Sequence, residues 1–398
     1  MRTLVKPESV ADARTALLDT SGTVAIAGAG TAADWAGRLG AVDTVLDATG
    51  LTGIVTHNPG DMTVSVRAGT PLRALQSELA PHRQHLSFDA ARIDAGATVG
   101  GLVATGDAGP SALVHGTLRD LVIGTTVLLS DGSVARSGGH VIKNVAGFDL
   151  AKLLHGSYGT LGMLTEVVLR LHPVPSAVGT VVVECPLAEG ARLAGEVLAS
   201  QLEPTAVEWL SSGRLLVRID STEEALAARL DRLRALIGGT VADDRRPRPE
   251  SDGSGAAAVT SGDHVAGGPD PGAPAGGTAP WAEHAALTRG TAGEAVLRIG
   301  VRPTLLPGLL ETLPVGAVAA GLGTGVATVS VPVGAVVAAH AAVHAAGGTS
   351  VLRTRPVSGL DVPAWGPPPS ALAVLRAVKK QFDPGSRFGP GRFDPWEM

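Results

Sequence analysis

Between Asp94 and Pro173, glycine recurs inside segments that are otherwise apolar and strand-forming, and this limits the possible folds more than any other feature. The stretch opens with Ala97-Thr98-Val99-Gly100-Gly101 and passes through Gly116-Thr117-Leu118-Arg119-Asp120. It continues through Gly138-Gly139-His140-Val141-Ile142-Lys143-Asn144-Val145-Ala146-Gly147-Phe148-Asp149 and closes on Gly156-Ser157-Tyr158-Gly159-Thr160-Leu161-Gly162. Such glycines mark backbone that bends sharply or approaches something closely. One such turn alone is unremarkable, but three in order between strands point to a ligand.

The flanking pattern places these turns. Ser9 is a suitable N-cap for a helix over Val10 to Leu18, followed by a strand over Thr23 to Ala27. Gly28-Ala29-Gly30-Thr31 then leads into an expected helix reaching Leu39. Thr44 to Leu46 and Met62 to Arg67 read as strands, and Thr70-Pro71 as N-cap and first residue of a helix to Leu79. Asp131-Gly132 joins Leu121–Leu129 to Ser133–Ser137 as a hairpin, and Leu161 to Leu171 forms a long strand. After Val178 the pattern becomes two series of alternating strands and helices. They run Val181–Cys185, Leu187–Leu202, Ala206–Leu210, Leu215–Ile219 and Thr222–Leu236, with Ser221 and Glu224 as a capping box. The second series is Val296–Val301, Leu305–Leu313, Val326–Val331, Ala335–Ala346 and Ser350–Thr354. Two such passes predict an antiparallel or mixed sheet with helices on one face. Asp243 to Pro280 has hardly any large apolar side chain and is expected to be a disordered insertion. A helix over Ser370 to Phe382 precedes a turn-rich tail whose three Phe are expected to pack against the body.

Composition removes several classes of function. A net charge of -5 and 3% aromatics leave neither a basic stripe nor stacking platforms for nucleic acid. The lone Cys185 excludes an internal disulfide framework and a Cys-ligated zinc or iron–sulfur centre within the chain, and points to a cytoplasmic location. Met1 to Pro7 lacks the apolar core of a signal peptide, and no run of about 18 apolar residues is present, so no transmembrane segment is expected.

Gly28-Ala29-Gly30-Thr31-Ala32-Ala33 matches the dinucleotide fingerprint, with Asp47 ending the next strand as a ribose-binding acid. That alone would read as an NAD enzyme, but a helix precedes the strand and the second glycine system stays unexplained. There, Thr98 to Gly101 offers successive backbone N–H groups to a pyrophosphate or an isoalloxazine edge. Lys143 and Asn144 bring a cation and an amide to a polar turn. His340 and His344 stand four apart on a helix, and His82 and His85 are close in sequence, but neither pair has further ligands, so packing roles are expected. Arg353 and Arg355 bracket a strand end and could neutralise a carboxylate.

Together these residues resemble the PCMH-type FAD-binding domain of the vanillyl-alcohol oxidase flavoprotein family. The resemblance rests on Ala27 to Thr31, Val66 to Leu72, Ala97 to Gly101, Gly116 to Asp120, Lys143 to Asp149 and Gly156 to Glu166. Within that family, the Lys143 to Asp149 run and the tail from Phe382 to Arg392 are most similar to the FAD-binding subunits of glycolate oxidase. The resemblance covers the first 173 residues, then the tail, and hardly the middle. It implies an α+β chain: a two-subdomain FAD-binding domain over 1–174, a ferredoxin-like α+β cap or substrate domain over 175–369, and a helix and tail over 370–398 returning to the flavin. FAD would contact Ala27, Gly28, Ala29, Gly30, Thr31, Thr98, Val99, Gly100 and Gly101 around the pyrophosphate. Lys143 and Asn144 would meet the ring, and Gly159, Thr160, Gly162, Glu166 and Val167 would lie along the adenosine half. Lys143, Arg119 and Arg392 are the candidates for catalytic or ring contacts.

The implied activity is oxidation of a small 2-hydroxy acid such as glycolate or D-lactate, with sister flavoprotein and iron–sulfur subunits as partners and peripheral attachment to a membrane through them. A flavin-bearing scaffold without turnover is the alternative. Thr31 replaces the histidine of flavinylated relatives, so the FAD is expected to be noncovalent. The His-Gly-Asp-Gly-Asn metal motif of related dehydrogenases is absent, Gly389 stands where many relatives have Asn, and Ser111 to His115 is more apolar than the usual arginine-containing link.

Overall fold

The computed structural model describes residues 2–142, 147–242, 280–290, 293–355 and 361–396. Its elements run β1 Thr3–Val5, α1 Val10–Leu18, β2 Val24–Ala27, β3 Thr44–Asp47, β4 Ile54–Asn58, β5 Thr63–Arg67, α2 Leu72–Leu79, β6 Gln84–His85 and α3 Val99–Thr105. Short helices α4 Ala112–His115 and α5 Leu118–Leu121 lead to β7 Val122–Leu128, β8 Val134–Gly138, α6 Ala151–Leu154, β9 Met163–Arg170 and β10 His172–Pro173. The rest comprises β11 Ala177–Glu184, α7 Leu187–Ala199, β12 Ala206–Leu210, β13 Arg214–Ser221, α8 Glu223–Ile237, β14 Thr240–Val241 and α9 Pro280–Arg289. It ends with β15 Ala295–Gly300, α10 Leu306–Thr312, β16 Val318–Gly321, β17 Val326–Val331, α11 Val336–Ala345, β18 Thr349–Thr354 and α12 Leu372–Phe382.

The first half builds two sheets. β1, β3 and β2 form a small parallel sheet, packed through Val24 and Leu46 on Ala13 and Leu17 of α1 and on Phe388 from the tail. β4, β5, β9, β7 and β8 form an antiparallel sheet whose inner face shares a core with Leu75 and Leu79 of α2 and Leu102 and Val103 of α3. The hairpin at Asp131-Gly132 forms as expected, with Leu128 opposite Val134.

The second half is one antiparallel sheet in the order β14-β11-β13-β12-β16-β17-β15-β18. Each half of it is a βαββαβ unit, so two ferredoxin-like units meet edge to edge where Trp209 pairs with Ala320. Helices α7, α8, α10 and α11 pack on one face, and α9 packs on the other through Trp281 and Leu287. Leu193 and Leu233 cover one unit, and Leu309 and Val343 cover the other. The opposite face turns toward the first half of the chain.

Four local expectations change. No helix follows Gly30: residues 31–37 are turns, in which Ala36 has φ 61 and its N–H donates to the Leu352 carbonyl. Pro71, not Thr70, is the residue before α2, because the Thr70 hydroxyl accepts from Gly53 N–H instead. The cap of α8 is Thr222 rather than Ser221, accepting from Ala225 N–H. Strand β16, Val-Ala-Ala-Gly, carries too few β-branched residues to declare itself. The expected insertion over 243–280 lies outside the described residues except for Pro280, the first residue of α9.

Candidate functional site

β2 ends in a glycine turn that forms the roof of a cavity of about 320 Å³. The turn must run tight against the start of α3: a Cβ on Gly28 would lie 2.6 Å from the Thr98 hydroxyl oxygen. Gly30 then turns at φ +75, a region that L side chains rarely adopt. The N–H groups of Ala29, Gly30, Thr31 and Ala32 make no hydrogen bond within the described residues. Successive unpaired amides at a turn form an anion-binding concavity.

The charge of the lining agrees with that geometry. Arg2, Arg92 and Arg392 line the cavity, and among the described residues no acidic side chain does. Arg92 Nη1 donates to the Thr31 carbonyl. Burial pushes the Arg92 pKa down to about 10, with Asp107 acting in the opposite direction. Arg392 Nη1 donates to the carbonyls of Ala33, Trp35 and Gly37 at 2.9, 3.0 and 3.2 Å, so the tail clamps the loop after the glycine turn. Trp35, only 1% exposed, is held between two guanidiniums, Arg92 4.1 Å and Arg353 3.8 Å from its ring centre. Tyr158 closes one wall in a left-handed conformation (φ 52), and burial raises the pKa of its phenol. It meets Trp365 and Phe393 edge-on, with centroids 5.6 and 6.0 Å away.

The expected residues divide accordingly. Ala27, Gly28, Ala29, Gly30, Thr31, Thr98, Gly100, Gly101, Gly159, Gly162 and Arg392 line the cavity. Of the amides of Thr98 to Gly101, those of Val99, Gly100 and Gly101 are not the free donors expected of them. Val99 N–H donates to Thr70 O, Gly100 N–H to Ala68 O and Gly101 N–H to the Thr98 hydroxyl. The unpaired donors sit on the first loop. Val99 and Val167 point into the hydrophobic core, Glu166 lies on β9 beyond the lining, and Thr160 offers its carbonyl to Lys379. Arg119 is exposed on α5 and also outside the lining. Lys143 and Asn144 lie outside the described residues. His340 is a packing residue: its ring nitrogens meet the Ser350 hydroxyl at 2.6 Å and the Pro363 carbonyl at 3.2 Å. Asp47 caps Thr49 N–H at 2.9 Å, and with no helix between β2 and β3 the NAD-type fold expected from the first loop is not formed.

A long cavity roofed by free amides, rimmed by arginines and floored by alanine and leucine suits a dinucleotide, with its pyrophosphate under the turn. Residues 2–138 match a family model described as an FAD binding domain. The chain contains an FAD binding domain. Glycolate oxidase subunit GlcE of Escherichia coli (strain K12) is 36% identical over 189 residues, 47% of this chain and 52% of that protein. D-lactate dehydrogenase of Archaeoglobus fulgidus is 36% identical over 143 residues, 36% of this chain and 32% of that protein. The chain thus matches about half or less of the length of these curated relatives. Alkyldihydroxyacetonephosphate synthase superposes with a TM-score of 0.63 at 14% identity, covering 97% of this chain and 75% of that one, so the eight-stranded sheet belongs to the shared fold as well.

Sequence reasoning missed Arg92, Tyr158, Arg218 and Arg298. The signal was available for two of them. Arg218 and Arg298 are charged residues in the middle of otherwise apolar strands, Arg-Leu-Leu-Val-Arg-Ile and Ala-Val-Leu-Arg-Ile. Alternation puts both on the sheet face opposite α7, α8, α10 and α11. There Arg218 meets Asp89 at 3.0 Å, and Arg353 on β18 meets Asp107 at 2.8 Å, tying the sheet to the FAD-binding half. No helix among the described residues is long and apolar enough to cross a membrane.

Proposed function

We propose that this chain is the FAD-bearing subunit of a complex that oxidises a small 2-hydroxy acid, glycolate or D-lactate. The observation that carries the reading is the arginine-rimmed cavity, without an acid among the described residues, under the unpaired amides of Ala29 to Ala32, which lie in the segment that matches the FAD binding domain. Bound there, FAD would supply the hydride-accepting centre. The chain's own residues would do the positioning. The Ala29–Ala32 amides and Arg92 would hold the pyrophosphate, Gly28 would let the backbone approach it, and Arg392 would fix the loop. Tyr158, kept neutral by burial and backed by the Trp365–Phe393 stack, would shut out water at the wall it forms. Thr31, together with a lining that contains neither His nor Cys among the described residues, supports noncovalent attachment. With Cys185 as its sole cysteine, the chain would pass electrons to an iron–sulfur partner and a sister flavoprotein, in the cytoplasm or peripherally at a membrane.

The purified chain is expected to show a flavin absorption spectrum that moves to the supernatant after acid precipitation and bleaches when glycolate or D-lactate is added anaerobically. A colourless chain that takes up no FAD would overturn the reading. Flavin that never bleaches in the isolated chain would identify the scaffold alternative, which the missing His-Gly-Asp-Gly-Asn motif favours.

A further inference from the structure

A second cavity, of about 370 Å³, lies between the face of the eight-stranded sheet that carries α9 and the loops from Ala108 to Asp120. Strand alternation puts charged groups on that face in an unbalanced way. Leu297 and Ile299 point to α10 and α11, and Arg298 between them points into the cavity. Among the described residues Arg298 has no carboxylate within ion-pair distance, and its guanidinium donates only to the Gly106 carbonyl. Burial, reinforced by the charge of Arg353, pushes its pKa down to about 10. Arg353, 2% exposed, gives Nη2 to Asp107, but its Nε is buried with no hydrogen-bond partner. Asp107, ion-paired with Arg353 and acting on Arg298 only through its charge, also accepts from Ala108 N–H at 2.9 Å. The acids that line the cavity are committed elsewhere: Asp120 accepts from Thr117 N–H at 3.0 Å, and Glu208 meets His284 Nε2 at 3.3 Å.

We infer that this cavity binds a small carboxylate, taken by the guanidinium of Arg298 with the positive charge of Arg353 beside it. A carboxylate supplies the missing negative charge and matches the planar donor geometry of a guanidinium, which a neutral ligand does not. The walls between the charged groups are Leu113, Ala319 and Ala327, and the His284–Glu208 pair lines the same space, ready to hydrogen-bond a second polar group on the acid. A short 2-hydroxy or 2-oxo acid has these two parts. The site also adjoins the dinucleotide cavity: Gly106, which accepts from Arg298, directly follows α3, whose Leu102 and Thr105 line the first cavity. The identity of the acid as substrate rests on the flavin reading; the binding site itself does not.

The test is calorimetric titration of the full-length chain, under nitrogen, with oxalate, glycolate, uncharged glycolamide and inorganic phosphate, with flavin content measured on the same samples. Oxalate and glycolate are expected to bind, glycolamide at least tenfold more weakly, and Arg298→Gln is expected to weaken oxalate binding tenfold or more at unchanged flavin content. Arg298→Lys should recover part of that loss. The glycolamide comparison needs no variant and stands even if Arg298→Gln fails to fold. Absent oxalate binding, binding unchanged in folded Arg298→Gln, or phosphate bound as tightly as oxalate would overturn the assignment. A flavin-free chain that still binds oxalate would instead refute only the flavin reading.

Discussion

Lys379→Met probes how the tail is locked to the cavity wall. Lys379 is 4% exposed and Asp383 is fully buried, one helical turn apart at the end of α12, with Nζ 2.6 Å from Oδ2. The ammonium also donates to the carbonyls of Thr160 at 2.8 Å and Phe388 at 3.0 Å, which uses all three of its protons. The Asp383 carboxylate accepts in addition from Arg387 N–H at 3.0 Å and Phe388 N–H at 2.8 Å. One closed network thus joins α12, the tail and the Gly156–Gly162 loop. Removing the ammonium leaves a buried carboxylate without its cation and two carbonyls without a donor. Breaking a buried pair from one side costs about 3–5 kcal/mol, against a total of about 5–15 kcal/mol for a typical domain.

The pH dependence is specific. Burial pushes the Asp383 carboxyl up, but the Lys379 hydrogen bond, the Phe388 amide and the Lys379 charge outweigh it, so its folded pKa lies below the ordinary value. A lowered folded pKa means the carboxylate contributes stability above its unfolded pKa of about 3.9, and that this contribution fades as the pH falls through the folded value. In Lys379→Met the same carboxyl has only amides to offset burial, and protonation relieves it at a higher pH. The gap between wild type and variant, measured by urea unfolding with circular dichroism, should therefore be about 3–5 kcal/mol at neutral pH and narrow toward pH 4. Coincident urea midpoints at pH 7, or a gap that does not change with pH, would refute the argument.

Three further outcomes are expected. Gly28→Val places a Cβ 2.6 Å from the Thr98 hydroxyl and should cut flavin retention by tenfold or more without unfolding the chain; a full complement of flavin per chain would contradict the close approach. Asp89, raised by burial but lowered further by the Arg218 charge and the Ser111 hydroxyl, stabilises the contact between the two halves above the unfolded carboxyl pKa and loses that effect as pH falls through its own. Asp89→Asn should accordingly flatten the acid limb of a thermal-stability profile below about pH 4. Arg119→Ala should leave flavin content unchanged, because Arg119 is exposed and outside the cavity lining; a colourless variant would return it to the site.

Much of the architecture was legible because local signals and tertiary demands agreed. Ser9 caps α1, Asp131-Gly132 turns the β7–β8 hairpin, and the alternation after Val178 gives two ferredoxin-like units. The position of the cavity was legible too, since glycines at both of its edges announced a close backbone approach. The donors within it were not. Gly100 and Gly101 look like a free-amide turn in sequence, but Gly100 N–H is used by Ala68, a partner that only the fold brings near, and Gly101 N–H by the Thr98 hydroxyl that caps α3. The face of the large sheet that carries α9 escaped notice for a related reason. A single arginine in Ala-Val-Leu-Arg-Ile resembles an ordinary edge residue until strand order shows that Arg298 lies on an inner strand, between β17 and β18.

The segment from Thr31 to Leu39 shows most directly why tertiary structure overrides propensity here. Its alanines favour helix by a few tenths of a kcal/mol each, yet apart from the turn bonds of Ala33 N–H to Gly30 O and Trp35 N–H to Ala32 O its anchors are distant in sequence. Ala36 N–H goes to Leu352 O on β18, Gly37 N–H to Arg392 O, and Gly40 N–H to Pro390 O. The carbonyls of Ala33, Trp35 and Gly37 are drawn to the Arg392 guanidinium, and that of Ala36 to Arg355. An α-helix would have used those carbonyls for its own i to i+4 bonds. The loop is thus held open from outside, by the last strand of the large sheet and by the tail, and the amides of Ala29 to Ala32 remain free beside the cavity. The dinucleotide cavity is in this sense built by the whole chain, although the match to an FAD binding domain covers only residues 2–138.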